Sequence, residues 1–267
     1  MNYVEIKGGL GNQLFQYAFY RYCEKVSGVN TLLQVDFYKY IKNIREGTDR
    51  EFKLDKFDLD FITIEGKITC SQIIQEAEFK GITKGMDDVF FSGYWQDKVF
   101  FEYVKEELIE SIRIKKEYIS KDYLKSLKEI SSTNSVAVHV RRGDYLTGNN
   151  KNLFAYLGAD YYKEAIERVR GRAGEGLTVY IFTDEPENAG EIMEILGDIP
   201  KRVMPMGQDY EDLMLMKSAR HHIIANSSFS WWAAALAGAE EGIIVAPGHW
   251  YVDRPVPNLY MDDFVVI

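Results

Sequence analysis

Short apolar runs alternate along the chain with segments whose apolar positions recur every three or four residues. The run at 3–7 predicts a strand, and the periodic apolar positions over 15–26 predict an amphipathic helix. Gly28 follows this segment as a natural helix C-cap, and the run at 31–35 predicts a second strand. A strand, a glycine-rich turn, a helix and a strand in this order predict the beginning of a parallel α/β domain.

The second half of the chain repeats this alternation more regularly. Apolar runs predict strands at 135–140, 177–183, 222–226 and 242–247, and the segments between them predict helices at 160–169, 209–220 and 229–238. Asp160 is a candidate N-cap for the first of these helices. Because near-continuous apolar strands separated by helices are typical of parallel sheets with both faces covered, we predict a second α/β domain.

The middle of the chain is less regular. Residues 38–95 mix charged and aromatic side chains without a clear period, which predicts loops and irregular segments. Residues 98–130 show two helical stripes, and a polar break follows them. We therefore predict two domains, 1–132 and 133–267, with the boundary in that break.

Four clusters of glycine, polar or charged residues follow predicted strands. They are Gly8 to Gln13, the group Arg141, Arg142 and Asp144, the pair Thr183 and Asp184, and the run Asn226, Ser227 and Ser228. Open α/β sheets bind ligands at the edge formed by the carboxyl ends of their strands. The sequence therefore predicts binding sites at these strand ends.

The segment HVRRGDY at 139–145 places two arginines at the end of an apolar strand. Strand alternation puts His139 and Arg141 on the same face. Guanidinium groups match phosphate oxygens in a bidentate geometry, and a buried charge without a partner is costly, so we favour a phosphate ligand. The alternatives are a surface ion pair between Arg142 and Asp144 and a buried, hydrogen-bonded histidine at position 139.

The segment GGLGNQLFQ at 8–16 joins a glycine-rich turn to the start of a helix. Glycines let backbone N–H groups approach a ligand, and a helix N-terminus favours an anion. With Asp36 after the next strand the segment nearly matches the dinucleotide-binding fingerprint, but Leu14 occupies the position of its third glycine. The alternative is a tight turn without a ligand.

The other two clusters also have both a binding and a structural interpretation. Asp184 can accept a hydrogen bond from a nucleotide base or a sugar hydroxyl, or it can form a turn. The run Asn226 to Ser228 can direct amides and hydroxyls to a ligand at a helix N-terminus. Capping of that helix by Ser228 or Ser230 is the structural alternative.

The overall charge narrows the class of partner. The 267 residues carry a formal net charge of −9, which argues against a general nucleic-acid-binding protein but permits an anionic small ligand held by local arginines. Cys23 and Cys70 form no CxxC motif, the N-terminus has no signal-peptide apolar region, and the apolar stretch at 229–239 is too short to cross a bilayer. We therefore predict a cytoplasmic protein and leave peripheral membrane contact open.

No metal site is predicted. Asp58 and Asp60 have the DxD spacing of metal-dependent glycosyltransferases, but they lie in a poorly patterned stretch, which favours a solvated turn. His221 and His222 are adjacent, so on a strand they face apart and make a poor pair of metal ligands.

Four blocks of the sequence, in the order GGLGNQLFQYA, HVRRGDY, IFTDEPE and NSSFSWWAAAL, resemble the alpha-1,2-fucosyltransferases of glycosyltransferase family 11. The resemblance spans about residues 4–248, and the pair HVRRGDY and NSSFSWW is its specific part. Glu185 departs from the family pattern, which more usually has a second aspartate there. The resemblance implies an α/β fold of the GT-B type, with two Rossmann-like domains whose parallel sheets face a cleft. Residues 1–132 would form the acceptor-side domain, and residues 133–267 would form the GDP-sugar-binding domain.

The resemblance also implies the reaction. The enzyme would transfer L-fucose, with inversion and without a cofactor or metal ion, from GDP-L-fucose to the 2-hydroxyl of a galactose-containing oligosaccharide or polysaccharide. The resemblance implies contact with the donor pyrophosphate for His139, Arg141 and Arg142, and contact with the nucleotide for Asp184. It implies contact with phosphate or nucleotide for Asn226, Ser227 and Ser228. The cleft would be closed from the first domain by Gly9, Asn12 and Gln13.

Catalysis would rest on the arginines and on Asp144. Arg141 and Arg142 would meet the negative charge that grows on the β-phosphate as the sugar leaves. Asp144 would either accept the proton of the acceptor hydroxyl or hold an arginine in place. Two other function classes stay open: an NAD(P)-dependent oxidoreductase, which the position of Leu14 disfavours, and a non-catalytic GDP-sugar-binding protein.

Overall fold

The computed structural model describes residues 1–44, 50–142, 153–238 and 242–267. Contacts divide the chain into two compact units, Met1–Lys115 and Lys116–Ile267. Each unit is built on a parallel sheet, as the alternation of strands and helices predicts.

The elements of the first unit, within the described residues, are β1 (Asn2–Glu5), α1 (Leu10–Ser27), β2 (Thr31–Gln34), α2 (Phe37–Ile44), β3 (Thr63–Ile64), β4 (Gln72–Gln75), β5 (Val89–Ser92) and α3 (Lys98–Ser111). The strand order is β3-β2-β1-β5-β4, and every pair is parallel. β1 therefore lies at the centre, between β2 and β5, and the glycine-rich segment follows it.

Helix α1 packs against β1, β2 and α3. Its side chains Leu14, Phe15 and Phe19 are fully buried, and Phe19 stacks on Trp95 with 3.7 Å between the ring centres. Gly28 ends the helix in the left-handed conformation, with a φ of 68°. The predicted C-cap is therefore confirmed.

The elements of the second unit, again within the described residues, are α4 (Lys121–Ser131), β6 (Asn134–Val140), α5 (Ala159–Ala173), β7 (Leu177–Thr183), α6 (Gly190–Ile195), β8 (Lys201–Val203), α7 (Asp209–Lys217), β9 (His221–Ile223), α8 (Ser228–Ala237), β10 (Ile244–Ala246) and β11 (Phe264–Val266). The strand order is β11-β10-β9-β6-β7-β8, and all pairs are parallel. Read from β8, this is the Rossmann order 3-2-1-4-5-6.

Strand β6 is buried on both faces. Val136, Val138 and Val140 belong to one apolar cluster with α5. His139, on the opposite side of the alternation, faces Phe229 of α8 with 5.8 Å between the ring centres. Helices therefore cover both faces of this central strand, as its continuous apolar run predicts.

The contacts group α4 with the second unit, whereas the sequence grouped it with the first. Ser120 caps α4 by accepting a hydrogen bond from the Tyr123 N–H. The backbone N–H and the hydroxyl of the same serine donate to the two carboxylate oxygens of the buried Glu211 on α7, at 2.7 and 3.1 Å. These bonds tie the start of α4 to α7, so contacts divide the chain before this helix.

Two other details differ from the sequence predictions. Gly158 occupies the N-cap position of α5, so the prediction of Asp160 as N-cap is wrong, and Asp160 lies in the first turn instead. The segment 38–95, predicted as irregular, contains α2 and three short strands. Ile74 is the only buried residue of β4, so its sequence shows no two-residue alternation.

No helix among the described residues is long and apolar enough to span a membrane. Cys23 is buried, Cys70 is partly exposed, and both are free thiols.

The buried His222 on β9 makes the stability of the fold depend on pH. Its Nε2 atom lies 2.9 Å from the Met216 carbonyl oxygen, and burial lowers its pKa to about 4. In the unfolded chain the pKa of His222 has its ordinary value of 6.5. Between pH 4 and pH 6.5 the unfolded chain therefore binds more protons than the folded chain. The contribution to stability is therefore complete above about pH 6.5 and is lost as the pH falls toward 4.

We expect His222→Leu to reduce the difference in unfolding free energy between pH 7 and pH 5 by about 2 kcal/mol, because the variant no longer keeps a histidine neutral on folding. Urea denaturation at both pH values measures this difference. Ile223→Val on the same strand is the control, since it changes a buried side chain of β9 without removing a titratable group and should leave the difference unchanged. An equal pH dependence in wild type and His222→Leu would contradict the assignment.

Candidate functional site

Three neighbouring strands of the second unit, β9, β6 and β7, carry the predicted polar clusters at their carboxyl ends. The chain proceeds from β6 to β7 and β8 on one side of the sheet and then returns to β9 on the other side of β6. The topological switch point of this sheet therefore lies between β6 and β9. Open α/β sheets bind their ligands at this position.

Asp184, which follows β7, joins the two arginines that follow β6. Its Oδ2 atom lies 3.2 Å from Nη1 of Arg141, and its Oδ1 atom accepts a hydrogen bond from the Arg142 backbone N–H at 3.2 Å. The side chains of Arg141 and Asp184 are 26% and 21% exposed, so solvent reaches this pair. Asp184 therefore fixes the end of β6 rather than forming an isolated turn.

The guanidinium of Arg142 is enclosed by two groups that sequence reasoning missed. It pairs with Glu191 of α6, and its central carbon lies 5.9 Å from the centre of the Tyr156 ring. Burial lowers the pKa of Arg142, but the hydrogen bond to Glu191 and the electrostatic interactions with Tyr156, Glu191 and Tyr162 together outweigh burial and leave the pKa above its usual value. The side chain is therefore a fixed cation.

The Nε atom of Arg142 is a buried donor that has no hydrogen-bond partner among the described residues. Most buried polar groups in folded proteins are hydrogen-bonded, so such a donor marks a place for a ligand atom or an ordered water. Glu191 pairs with the Nη2 atom of the same guanidinium.

His139 lies beside the arginines as a buried neutral base. Burial, followed by the charge of Arg141, lowers the pKa of His139 to about 3. Its Nδ1 atom is buried and, within the described part of the chain, has no hydrogen-bond partner. The Tyr162 hydroxyl donates to the His139 carbonyl at 3.1 Å and fixes the backbone there. The ring is thus buried, as the structural alternative required, but within the described part of the chain its Nδ1 atom lacks the hydrogen bond of that alternative.

The cluster after β9 shapes the start of α8. The Asn226 side-chain amide donates to the carbonyl oxygens of Ala155 and Trp250, at 2.9 and 3.0 Å. Ser227 is the N-cap and accepts a hydrogen bond from the Phe229 N–H. The prediction that Ser228 or Ser230 caps this helix is therefore wrong. Ser228 is already the first residue of the helix, and Ser230 lies within its first turn.

In the first unit, Gly8 and Gly9 form the turn after β1. Gly8 has a φ of 83°, and a Cβ atom at this position would lie 2.8 Å from the Asn12 Nδ2 atom. A Cβ on Gly9 would collide with the guanidinium of Arg50. The Asn12 Oδ1 atom accepts a hydrogen bond from Gln96 at 2.8 Å. Gly8 is therefore required by its left-handed backbone, whereas a side chain at position 9 would displace the flexible end of Arg50.

Gln13 is completely buried and braces this turn from inside. Its amide nitrogen donates to the carbonyl oxygens of Gly8 and Glu51, and its carbonyl oxygen accepts from the Lys53 N–H at 2.8 Å. The sequence could not show this, because the partners are backbone groups about 40 residues away. The predicted contact of Gln13 with the donor stays a prediction.

The weak metal signals of the sequence come from two pairs of residues, Asp58 with Asp60 and His221 with His222. Asp58 and Asp60 are exposed, as expected for a solvated turn. The His221 ring contacts Asn134 and the Ile243 N–H, whereas His222 contacts Met216, so the two rings face apart as predicted. Among the described residues, no three His, Cys, Asp or Glu side chains gather into a group suited to a metal ion. Asp144, the predicted base, lies outside the described residues.

The sequence matches glycosyl transferase family 11 over residues 1–258. It is 31% identical to an Escherichia coli protein named alpha-1,2-colitosyltransferase, over 93% of this chain and 91% of that protein. It is 27% identical to the Mus musculus galactoside 2-alpha-L-fucosyltransferase Sec1, over 57% of this chain and 43% of that protein.

A solved structure of the alpha-1,6-fucosyltransferase NodZ, soaked with GDP-fucose, matches with a TM-score of 0.59. The match covers 88% of this chain and 92% of NodZ at 12% identity, so it shows the fold. The predicted α/β fold of the GT-B type is thereby confirmed. From the family match and the extent of the similarity to the colitosyltransferase, the chain belongs to glycosyl transferase family 11 and is a glycosyltransferase.

Proposed function

We propose that this enzyme transfers L-fucose from GDP-L-fucose to the 2-hydroxyl of a galactose-containing oligosaccharide or polysaccharide, with inversion and without a metal ion. The observation that carries the proposal is the pair Arg141 and Arg142 at the switch point of the second sheet, fixed by Asp184 and Glu191. Relatives named for alpha-1,2 transfer and a structural neighbour soaked with GDP-fucose support the choice of donor and linkage.

The arginines would act on the leaving group. When the bond between the fucose C1 atom and the β-phosphate oxygen breaks, negative charge grows on the β-phosphate. Guanidinium groups that are already oriented stabilise this charge without reorganising during the reaction. A guanidinium has five N–H donors, so a carboxylate that holds one edge leaves other donors for phosphate oxygens. Asp184 and Glu191 are therefore positioning residues for Arg141 and Arg142.

Two neutral groups would complete the donor site. The His139 Nδ1 atom can form a hydrogen bond to the donor without adding a charge, since its low pKa keeps the ring neutral near pH 7. The N-terminus of α8 offers backbone N–H groups beyond Ser227 to an anion. In this proposal Ser228 contacts phosphate or nucleotide, whereas Asn226 and Ser227 shape the loop that presents it.

The acceptor hydroxyl must lose its proton. Asp184 bonds the Arg141 side chain and the Arg142 backbone, and Glu191 bonds the Arg142 side chain, so both carboxylates are already used for positioning. We therefore keep Asp144 as the proposed base. The proposal also places the enzyme in the cytoplasm and leaves peripheral membrane contact open.

A second donor is favoured by a specific observation. The relative that is 31% identical over nearly the whole chain is named a colitosyltransferase, and colitose is L-fucose without the 3-hydroxyl. The two donors carry the same diphosphate, so the arginine site serves either. Because the chain is a glycosyltransferase, the alternative of an NAD(P)-dependent oxidoreductase does not hold.

The function is tested by incubating the purified enzyme with GDP-L-fucose or GDP-colitose and a panel of galactosides. We expect transfer of L-fucose to the 2-hydroxyl of at least one galactoside, with a β-linked donor giving an α-linked product, read by NMR of the product. A preference for GDP-colitose would make colitose the transferred sugar and would leave the proposed diphosphate site unchanged. Binding of GDP-L-fucose without turnover on any acceptor would favour the non-catalytic alternative.

We expect Arg142→Ala to lower kcat/KM for transfer by about 10³-fold, because a cation facing the leaving phosphate is lost. Arg142→Lys should recover only part of the activity, since lysine lacks the planar fork. Arg168→Ala on α5 is the matched control, because Arg168 is exposed and forms a surface ion pair with Glu164. Thermal unfolding shows that each variant is folded, and full activity of Arg142→Ala would refute the role.

Transfer should be unchanged after dialysis against excess EDTA and should not rise on addition of Mg²⁺ or Mn²⁺, because fixed guanidinium groups supply the positive charge at the diphosphate. Initial rates at saturating donor and acceptor measure this. A rate that vanishes in EDTA and returns with one divalent cation would overturn the metal-independent part of the proposal.

A further inference from the structure

In the sheet of the first unit, β1 pairs with β5, so the carboxyl ends of these two strands are adjacent. The proposed donor site does not use this edge. Open α/β sheets bind their ligands outside the carboxyl ends of the strands.

Three polar side chains meet at these strand ends. The Lys7 Nζ atom lies 2.6 Å from Glu5 Oε2, and the Ser92 hydroxyl donates to the same oxygen at 2.6 Å. The side chains of Lys7 and Glu5 are 20% and 24% exposed, so the pair is half-buried and still reachable. Its charges cancel, which favours a neutral polar ligand over a phosphate.

Tyr94 adds an exposed aromatic face to this cluster. Its ring centre lies 5.4 Å from the Lys7 Nζ atom, and its side chain is 43% exposed. Its backbone N–H donates to the Glu76 carboxylate at 2.7 Å. The neighbouring Gly93 has no room for a Cβ atom, which would lie 2.5 Å from the Glu76 Cβ atom. The backbone that carries Tyr94 is thus closely held.

The loop after β5 is strained in a way that presents this tyrosine. Trp95 has a φ of 56°, a left-handed conformation that a bulky side chain rarely adopts. Its ring is buried and stacks on Phe19, which anchors the loop in the core. The next residue, Gln96, donates to Asn12 at the start of α1. Such strain persists where the surroundings fix it, and it concentrates at functional positions.

We propose that Glu5, Lys7, Ser92 and Tyr94, named here the acceptor shelf, bind the neutral sugar ring of the acceptor. The inference rests on the proposed function, since it assigns that reaction's second substrate. An exposed aromatic ring packs against the apolar C–H face of a pyranose, and a carboxylate, an ammonium and a hydroxyl together accept and donate to its hydroxyl groups. Trp95 is a positioning residue because it fixes the loop that carries Tyr94.

The test compares Tyr94→Ala with Tyr94→Phe, which keeps the ring. We expect Tyr94→Ala to raise the acceptor KM by about tenfold while the KM for the GDP-sugar stays unchanged. Tyr94→Phe should restore most of the acceptor affinity. Tyr103→Ala is the matched control, because Tyr103 is an exposed tyrosine of α3 in the same unit. An unchanged acceptor KM, or an equal rise for donor and acceptor, would overturn the shelf.

A binding experiment separates this inference from the proposed reaction. Saturation-transfer NMR with methyl β-D-galactopyranoside and GDP reports contact with the sugar whether or not transfer occurs. Contact in wild type that is lost in Tyr94→Ala and kept in Tyr103→Ala supports the shelf, even if no GDP-sugar is turned over. Contact that persists in Tyr94→Ala, or its absence in wild type, rejects the shelf and leaves the donor site untouched.

Discussion

The positive charge of two adjacent arginines at the end of β6 is the constraint around which the second unit is arranged. A guanidinium at the end of a buried strand is costly without partners. Asp184, at the end of β7, and Glu191, in the first turn of α6, provide those partners, so the two cations are fixed in place before any ligand arrives. The protein is acidic overall, and in our proposal this local cluster of arginines holds the diphosphate of the donor.

In our proposal the two units recognise different substrates, each at the carboxyl ends of its parallel strands. At the switch point of the second sheet lie two arginines and, among the described residues, two buried nitrogens without partners, which suits the proposed anionic leaving group. At the carboxyl ends of β1 and β5 in the first sheet, Lys7 is neutralised by Glu5 and flanked by Tyr94, which suits the proposed neutral sugar. The chemistry at each strand end, rather than the fold, separates the proposed donor and acceptor roles.

Much of this was predictable from the sequence because long buried strands and strand-end clusters are local signals. β7 coincides with its predicted bounds, and Arg141, Arg142 and Asp184 meet where the order of the parallel strands places them. Short or half-exposed strands such as β4 and β8 carry too few buried positions to show a period. Glu191, Tyr156 and the partners of Gln13 could not be found, because each contact joins segments that no sequence spacing relates.

The most direct test of the donor site is a crystal structure of the enzyme with GDP. The account predicts that oxygens of the β-phosphate lie within hydrogen-bond distance of the Arg141 and Arg142 guanidinium groups, at the carboxyl ends of β6 and β9. It also predicts that no cation bridges the two phosphates. A nucleotide bound elsewhere, or a divalent cation between its phosphates and a carboxylate, would contradict the central claim.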